Sequence, residues 1–159
     1  KRQVRDAMLA VSGELQMKSG GPSVETEVPR RALYVRSLRN TPDPFLQAFD
    51  LANGLQSTSE RSNTTTPTQS LLMVNGKYTL GRAEKLAERL QSEDFASAAD
   101  LLTSAFERAW GRTPEAWELQ NALEFTGVAT ASQAGTIQKD PLVDLCHVLF
   151  NSNEFLYVD

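Results

Sequence analysis

A cysteine and a histidine stand side by side near the end of the chain, and each is the only one of its kind. A thiolate and an imidazole can form a nucleophilic pair when they lie within hydrogen-bond reach. Cys146 and His147 fall in a helical pattern, where adjacent side chains point about 100° apart. We therefore interpret Cys146 as a core residue and His147 as a surface or capping residue.

The same pair does not indicate a haem or zinc site, because the chain contains too few ligands for either. Covalent c-type haem attachment needs the pattern C-x-x-C-H, and position 143 is a valine. A zinc site needs several more cysteine or histidine ligands than the chain contains. We accordingly expect no catalytic residue, no metal ligand and no cofactor in this chain.

Arginines are the other residues with chemical potential, because a guanidinium group pairs well with carboxylates, sulfates and phosphates. Four of them lie within ten residues, at positions 30, 31, 36 and 39. The candidate contact for an anion or a partner comprises Arg36, Arg39, Asn40, Asp50 and Arg61. The favoured alternative is structural, in which arginines tie an extended segment to helix C-termini and acidic side chains.

Composition narrows the classes of function. The 159 residues carry a formal charge of −4, unevenly distributed: residues 1–40 hold eight Lys and Arg against four Asp and Glu. An acidic pI of about 5.1 and the absence of a basic stripe with interleaved aromatics argue against nucleic-acid binding. No run of 18 apolar residues occurs, so we expect no membrane insertion.

The spacing of apolar residues predicts a mainly α fold, an irregular bundle of about six helices. The clearest stripes run from Ala98 to Trp110, ended by Gly111, and from Leu142 to Phe150. Aspartate or threonine directly before proline predicts helix starts at 43, 66, 113 and 140. We interpret Trp110 and Trp117 as core residues, and we expect Phe155, Leu156 and Tyr157 to be buried.

One segment has a different period. Residues 30–38 alternate apolar and polar side chains around Leu33 and Val35, which predicts a short extended or β arm. A lone strand needs a partner, and the segment around Val24 and Val28 is the favoured one.

Several segments together resemble a known family: a domain of unknown function found at the C-terminus of large planctomycete proteins that carry planctomycete cytochrome-c-type domains. The segments that carry the resemblance are Arg5-Asp6-Ala7-Met8-Leu9, Gly20-Gly21-Pro22-Ser23, Arg31-Ala32-Leu33-Tyr34-Val35, Thr66-Pro67-Thr68-Gln69 and the closing Leu149 to Asp159. The resemblance implies a single domain over 1–159, a C-terminal fragment of a larger protein. It also implies an extracytoplasmic location, periplasm or cell surface, with haem only in other domains of the parent.

Two functions from different classes remain open. The first is a non-catalytic interaction or scaffold domain that contacts adjoining domains of the parent chain, or a redox or envelope protein. The alternative is an accessory part of an enzyme active site that acts on acidic or sulfated polysaccharide and is completed by upstream domains. A third possibility, carbohydrate binding through exposed aromatics, requires Tyr34, Tyr78 or Trp117 on one open face, and burial of all three would end it.

Overall fold

The computed structural model describes residues 2–36, 67–128 and 137–157. In these residues every element of regular secondary structure is a helix, which confirms the mainly α prediction. Seven α-helices and one 3-10 turn at Ala32–Tyr34 follow in chain order: α1 (Arg2–Val11), α2 (Pro67–Asn75), α3 (Lys77–Gln91), α4 (Ala98–Trp110), α5 (Ala116–Phe125), α6 (Lys139–Asn151) and α7 (Asn153–Leu156). The helix predicted after residue 43 and the polar stretch 53–65 lie outside the described residues.

The long interface between α3 and α6 is the centre of the fold. Both helices bury a continuous apolar face, which comprises Ala83, Leu86, Ala87, Leu90, Leu142, Leu145, Cys146, Leu149 and Phe150. The predicted stripe of α6 is therefore confirmed. In α3, Leu86 lies in the core, whereas Leu80 is exposed.

Helix α4 has the ends that its sequence predicts. The Ser97 side chain accepts a hydrogen bond from the Asp100 N–H at 3.1 Å, which satisfies one free amide of the first turn. Gly111 follows the last helical residue with φ +74°, a left-handed conformation that glycine adopts without a steric penalty. The helix consequently stops where the stripe stops.

Two of the predicted helix starts are wrong in register. Glu115, not Thr113, precedes α5, and its N–H donates to the Glu118 carboxylate at 2.7 Å. Helix α6 begins at Lys139, so Asp140 lies inside the first turn. Contacts with α3 account for this shift, since Lys139 pairs with Glu88 and the Gln91 amide donates to the carbonyl of buried Ile137 at 2.9 Å.

The predicted extended arm is wrong over Ala32–Tyr34, which form a 3-10 turn. The reason is tertiary: the Asp6 carboxylate of α1 accepts a hydrogen bond from the Ala32 N–H at 2.7 Å, and the Ala32 side chain is buried. Isolated parallel bridges flank the turn, joining Gln16 to Arg30 and Val24 to Val35. The expected pairing with the segment around Val24 is thus confirmed, and residues 37 and 38 lie outside the description.

The C-terminal elements close the core. Phe155 of α7 is buried, and its ring centroid lies 5.0 Å from that of Phe150. Leu156 is partly buried against the same core, whereas Tyr157 is exposed, contrary to the prediction. None of the helices in the described part of the chain is long and apolar enough to cross a membrane.

Trp110 and Trp117 have different environments. The Trp110 ring packs edge-on against Phe106, with 4.9 Å between centroids, and its Nε1 donates to the Leu149 carbonyl at 3.3 Å. Trp117 is 61% exposed, so its assignment to the core was wrong. Helix α5 buries Glu118, Ala122 and Leu123 instead, and Trp117 lies on the opposite side of that helix.

Candidate functional site

The predicted anion or partner contact is described at one of its five positions. Arg36 is exposed, and its Nη1 lies 3.5 Å from Oε1 of Glu25, which is also exposed. An ion pair of this kind contributes little to stability because water screens both charges. Arg39, Asn40, Asp50 and Arg61 lie outside the described residues.

Cys146 and His147 are separated in the way that their helical spacing predicts. The Cys146 thiol is fully buried, and desolvation raises its pKa to about 12, so it is not a thiolate at neutral pH. His147 Nε2 lies 3.1 Å from the Met73 carbonyl in the last turn of α2. Because a carbonyl only accepts, Nε2 carries the proton, and the ring caps α2.

Metal binding finds no support in the described geometry. Within residues 2–36, 67–128 and 137–157, no three His, Cys, Asp or Glu side chains come together in a group that could hold an ion.

The most unusual polar site surrounds Arg5 of α1. This side chain is 1% exposed, and its guanidinium donates to three main-chain carbonyls of a following loop. Nη1 donates to Arg30 O at 2.6 Å, and Nη2 donates to Thr26 O at 2.7 Å and to Val28 O at 3.0 Å. A single buried cation thereby fixes the path of residues 26–30 against α1.

Arg30 binds main-chain carbonyls in the same way, in the earlier part of the same loop. Its guanidinium donates to the carbonyls of Lys18 at 3.1 Å and Pro22 at 3.3 Å, and also to that of Gly20. The same group lies over the Tyr34 ring, 4.3 Å from its centroid. We call residues 16–36 the arginine-anchored loop, because these two buried guanidinium groups determine its course.

Tyr34 also holds the glycine turn of this loop in place. Its hydroxyl oxygen accepts a hydrogen bond from the Gly20 N–H at 3.2 Å. This hydrogen bond, more than the nearby arginine charges, lowers the pKa of Tyr34. The Gly20-Gly21-Pro22 turn is thus held by the Arg30 side chain through its carbonyls and by Tyr34 through an amide.

A second polar network joins the end of α1 to α3. Arg82 Nε lies 3.1 Å from the Glu14 carboxylate, which also accepts a hydrogen bond from the Ser12 hydroxyl at 2.8 Å. The Arg82 guanidinium carbon lies 5.1 Å from the centre of the Tyr78 ring. Burial raises the pKa of Tyr78, which keeps its hydroxyl protonated between the arginines at 5 and 82.

The outer surface of the arginine-anchored loop has a mixed character. Met17 is 72% exposed and Leu33 is 68% exposed, and Arg31 and Arg36, close to Leu33 in sequence, are exposed as well. Arginine stays charged at all physiological pH values, so it cannot exchange protons in catalysis. The arrangement can present apolar and cationic side chains at fixed positions.

Sequence reasoning missed the role of Arg5, although a signal was present. Arg5 lies three and four residues before Met8 and Leu9, both fully buried, so it shares their face of α1. A charged residue on a buried face requires partners, and a loop rich in glycine and proline offers unpaired carbonyls. Tyr34 and Tyr78 are half-buried against arginines, whereas Trp117 is exposed, so carbohydrate binding through Trp117 stays a prediction.

Fold and site together define a class: an all-helical domain, within the described residues, whose N-terminal loop is anchored by buried arginines. The chain belongs to the PSD1 family, described as a protein of unknown function (DUF1553), whose model matches residues 1–126. That range includes the arginine-anchored loop and helices α1 to α5, and it ends before α6. The chain matches no curated protein and no solved structure.

Proposed function

We propose that this chain is a non-catalytic interaction domain that docks on neighbouring domains through the arginine-anchored loop. The observation that supports this most directly is the use of two buried arginines to hold a 21-residue loop in which Ala32 is the one buried apolar side chain. Burying a guanidinium costs several kcal/mol in lost hydration, which the hydrogen bonds to carbonyls must offset. A rigid loop surface is what that arrangement provides.

Rigidity matters for binding because an ordered surface loses less entropy when a partner arrives. The exposed Met17 and Leu33 side chains supply apolar contact area, and Arg31 is among the residue types enriched at protein interfaces. These features suit a protein surface as the partner.

The resemblance described above supports the placement of the domain. In this proposal the domain is the C-terminal part of a larger bacterial, extracytoplasmic protein, and the loop contacts adjoining domains of that parent chain. Any haem then belongs to those other domains.

The accessory-enzyme alternative depends on the candidate contact residues, and four of these five lie outside the described part of the chain. Arg36 alone, paired with Glu25, does not favour an acidic polysaccharide ligand. That function stays a prediction, to be tested by turnover of the parent protein with and without Arg36→Ala and Arg39→Ala.

Hydroxyl-radical footprinting tests the proposed docking directly. Oxidation of the Met17 and Leu33 side chains is compared between the 159-residue chain and the longer parent protein. We expect strong protection of both side chains in the parent. Leu80 of α3 is the matched control, since it is also an exposed aliphatic residue and should be oxidised equally in both proteins.

A substitution makes the experiment decisive. Leu33→Asp in the parent should restore Met17 oxidation, because a carboxylate in an apolar contact disrupts docking. Equal oxidation of Met17 and Leu33 in the two unsubstituted proteins would rule out the loop as the docking surface.

A further inference from the structure

The outer face of α5 combines aromatic rings with carboxylates and carries no cation. Trp117 and Phe125 are both exposed, and they lie about 12 Å apart along the helix, at 1.5 Å per residue. Glu115, which directly precedes the helix, and Glu124 near its end are exposed as well. No Lys or Arg occurs in the sequence between Arg112 and Lys139.

The Trp117 indole is held in place by one of these carboxylates. Its Nε1 donates to Oε2 of Glu115 at 2.6 Å, and the same carboxylate accepts from the Glu118 N–H, so its negative charge is fixed beside an exposed ring. At the other end, the Gln120 amide donates to Glu124 at 2.9 Å. In the described part of the chain, neither Glu115 nor Glu124 has a Lys or Arg ion-pair partner.

The same molecule shows what such a set of groups binds. At the corner between α4 and α5, the Arg112 guanidinium lies 5.0 Å from the centre of the Trp110 ring. Its nitrogens donate to both oxygens of Glu118 at 2.8 Å and to the Glu154 carboxylate at 2.6 and 3.0 Å. A tryptophan and carboxylates thus hold an arginine internally, by stacking and by paired hydrogen bonds.

We infer that the outer face of α5 binds an arginine-bearing, amphipathic segment of a protein partner. The partner's guanidinium stacks on Trp117 and pairs with Glu115, and an apolar side chain of the same segment covers Phe125. Charge complementarity identifies the occupant: the face presents only carboxylates, so a cationic segment gains both the ion pairs and the aromatic contact. This inference goes beyond the docking proposed for the loop, since it concerns a different surface.

The probe is a synthetic helical peptide in which arginine and leucine share one face. Binding is followed by amide chemical shifts of the 159-residue chain in every variant, and by tryptophan fluorescence in the variants that keep Trp117. The neutral counterpart is the same peptide with citrulline in place of arginine. We expect the shifts to centre on α5, and the citrulline peptide to bind about tenfold more weakly, which corresponds to 1.4 kcal/mol.

Variants assign the binding to named side chains. Trp117→Ser with Phe125→Ser, and separately Glu115→Gln with Glu124→Gln, should each weaken arginine-peptide binding about tenfold or more. The matched control is Leu80→Ser with Glu84→Gln, an exposed aliphatic and carboxylate pair on α3, which should leave binding unchanged.

Three results would overturn the inference: equal binding of the arginine and citrulline peptides, equal losses in the α5 and α3 variants, or a dimer in sedimentation that Trp117→Ser with Phe125→Ser abolishes, which would mean that a second copy of the chain covers α5. Leu33→Asp in the loop should not alter peptide binding. Failure here therefore remains distinct from failure of the docking proposed for the loop.

Discussion

The arginine-anchored loop and the α6–α7 segment are held in the fold by opposite means. The loop places few apolar side chains in the core and is fixed by guanidinium groups that donate to its carbonyls. The α6–α7 segment buries Leu142, Leu149, Phe150 and Phe155, and its polar contacts, such as the Arg112–Glu154 pair, lie around this apolar face. One region is stabilised mainly by hydrogen bonds from buried guanidinium groups, and the other mainly by the removal of apolar surface from water.

This difference predicts how each region fails. Apolar burial contributes free energy in proportion to area, so losses in α6–α7 should lower the stability of the whole domain. Buried hydrogen bonds contribute modestly when made but cost more when a single partner is lost. Damage to the loop should therefore be local in its structural effect.

The largest effect should come from deleting residues 151–159. The deletion removes Phe155 from its contact with Phe150 and breaks the Arg112–Glu154 pair. We expect the free energy of unfolding to fall by about 3–5 kcal/mol, the usual cost of removing a buried aromatic side chain. Thermal melting measures the loss; an unchanged melting temperature would contradict it. Tyr157→Ala, at an exposed position, is the control.

Arg5→Ala should lower the free energy of unfolding by a smaller amount, and its structural effect should be concentrated in the arginine-anchored loop. The substitution leaves the carbonyls of Thr26, Val28 and Arg30 without their shared donor, which should cost about 2–3 kcal/mol. Hydrogen exchange should accelerate at the Val24 and Arg36 amides, while α6 amides follow only the global change. If loop and α6 amides accelerated equally, the two regions would form one cooperative unit. Arg31→Ala, at an exposed arginine, is the control.

The acid dependence of stability separates one ion pair from the rest. Arg112 lowers the pKa of Glu118 below its ordinary value of 4.5, so the folded state favours the carboxylate. The resulting stability is present above that pH and is lost as pH falls through the depressed pKa. Glu118→Gln should therefore be less stable at pH 7 and show a flatter decline in acid. Identical pH profiles for the two proteins would refute this coupling.

Tyr34→Phe should have the smallest effect. It removes the hydroxyl that accepts from the Gly20 amide but keeps the ring under the Arg30 guanidinium. We expect a loss of about 0.5–1 kcal/mol, the net contribution of one neutral hydrogen bond. Proteolysis at the Gly20-Gly21 turn should quicken measurably. Tyr34→Ala, which also removes the ring, provides the comparison and should quicken it further.

The parts of the fold that depend on local pattern could be predicted from sequence. The stripe of α4 and its stop at Gly111, the buried face of α6 and the burial of Cys146 all follow from helical periodicity and backbone preference. Each requires information only from within about one helix length of chain.

The parts of the fold that depend on partners distant in sequence could not be predicted. Nothing near Ala32 in sequence indicates that Asp6 will bind its amide and bend the arm into a 3-10 turn. The exposure of Trp117 similarly depends on which face of α5 meets α4, and tryptophan's apolar character gives the wrong answer there. Arg5 had a local signal, but its three acceptors lie 21 to 25 residues away.

The pairing of α3 with α6 also determines when the core can be completed during synthesis. These helices form the main interface of the fold, yet the whole of α4 and α5 lies between them in the chain. A ribosome releases α3 long before α6, so the part of the α3 apolar face that packs on α6 stays uncovered until residue 150 has emerged. Helices α4 and α5, joined by a short turn, can meet in the interval. We expect the nascent chain to need protection of α3 during that delay.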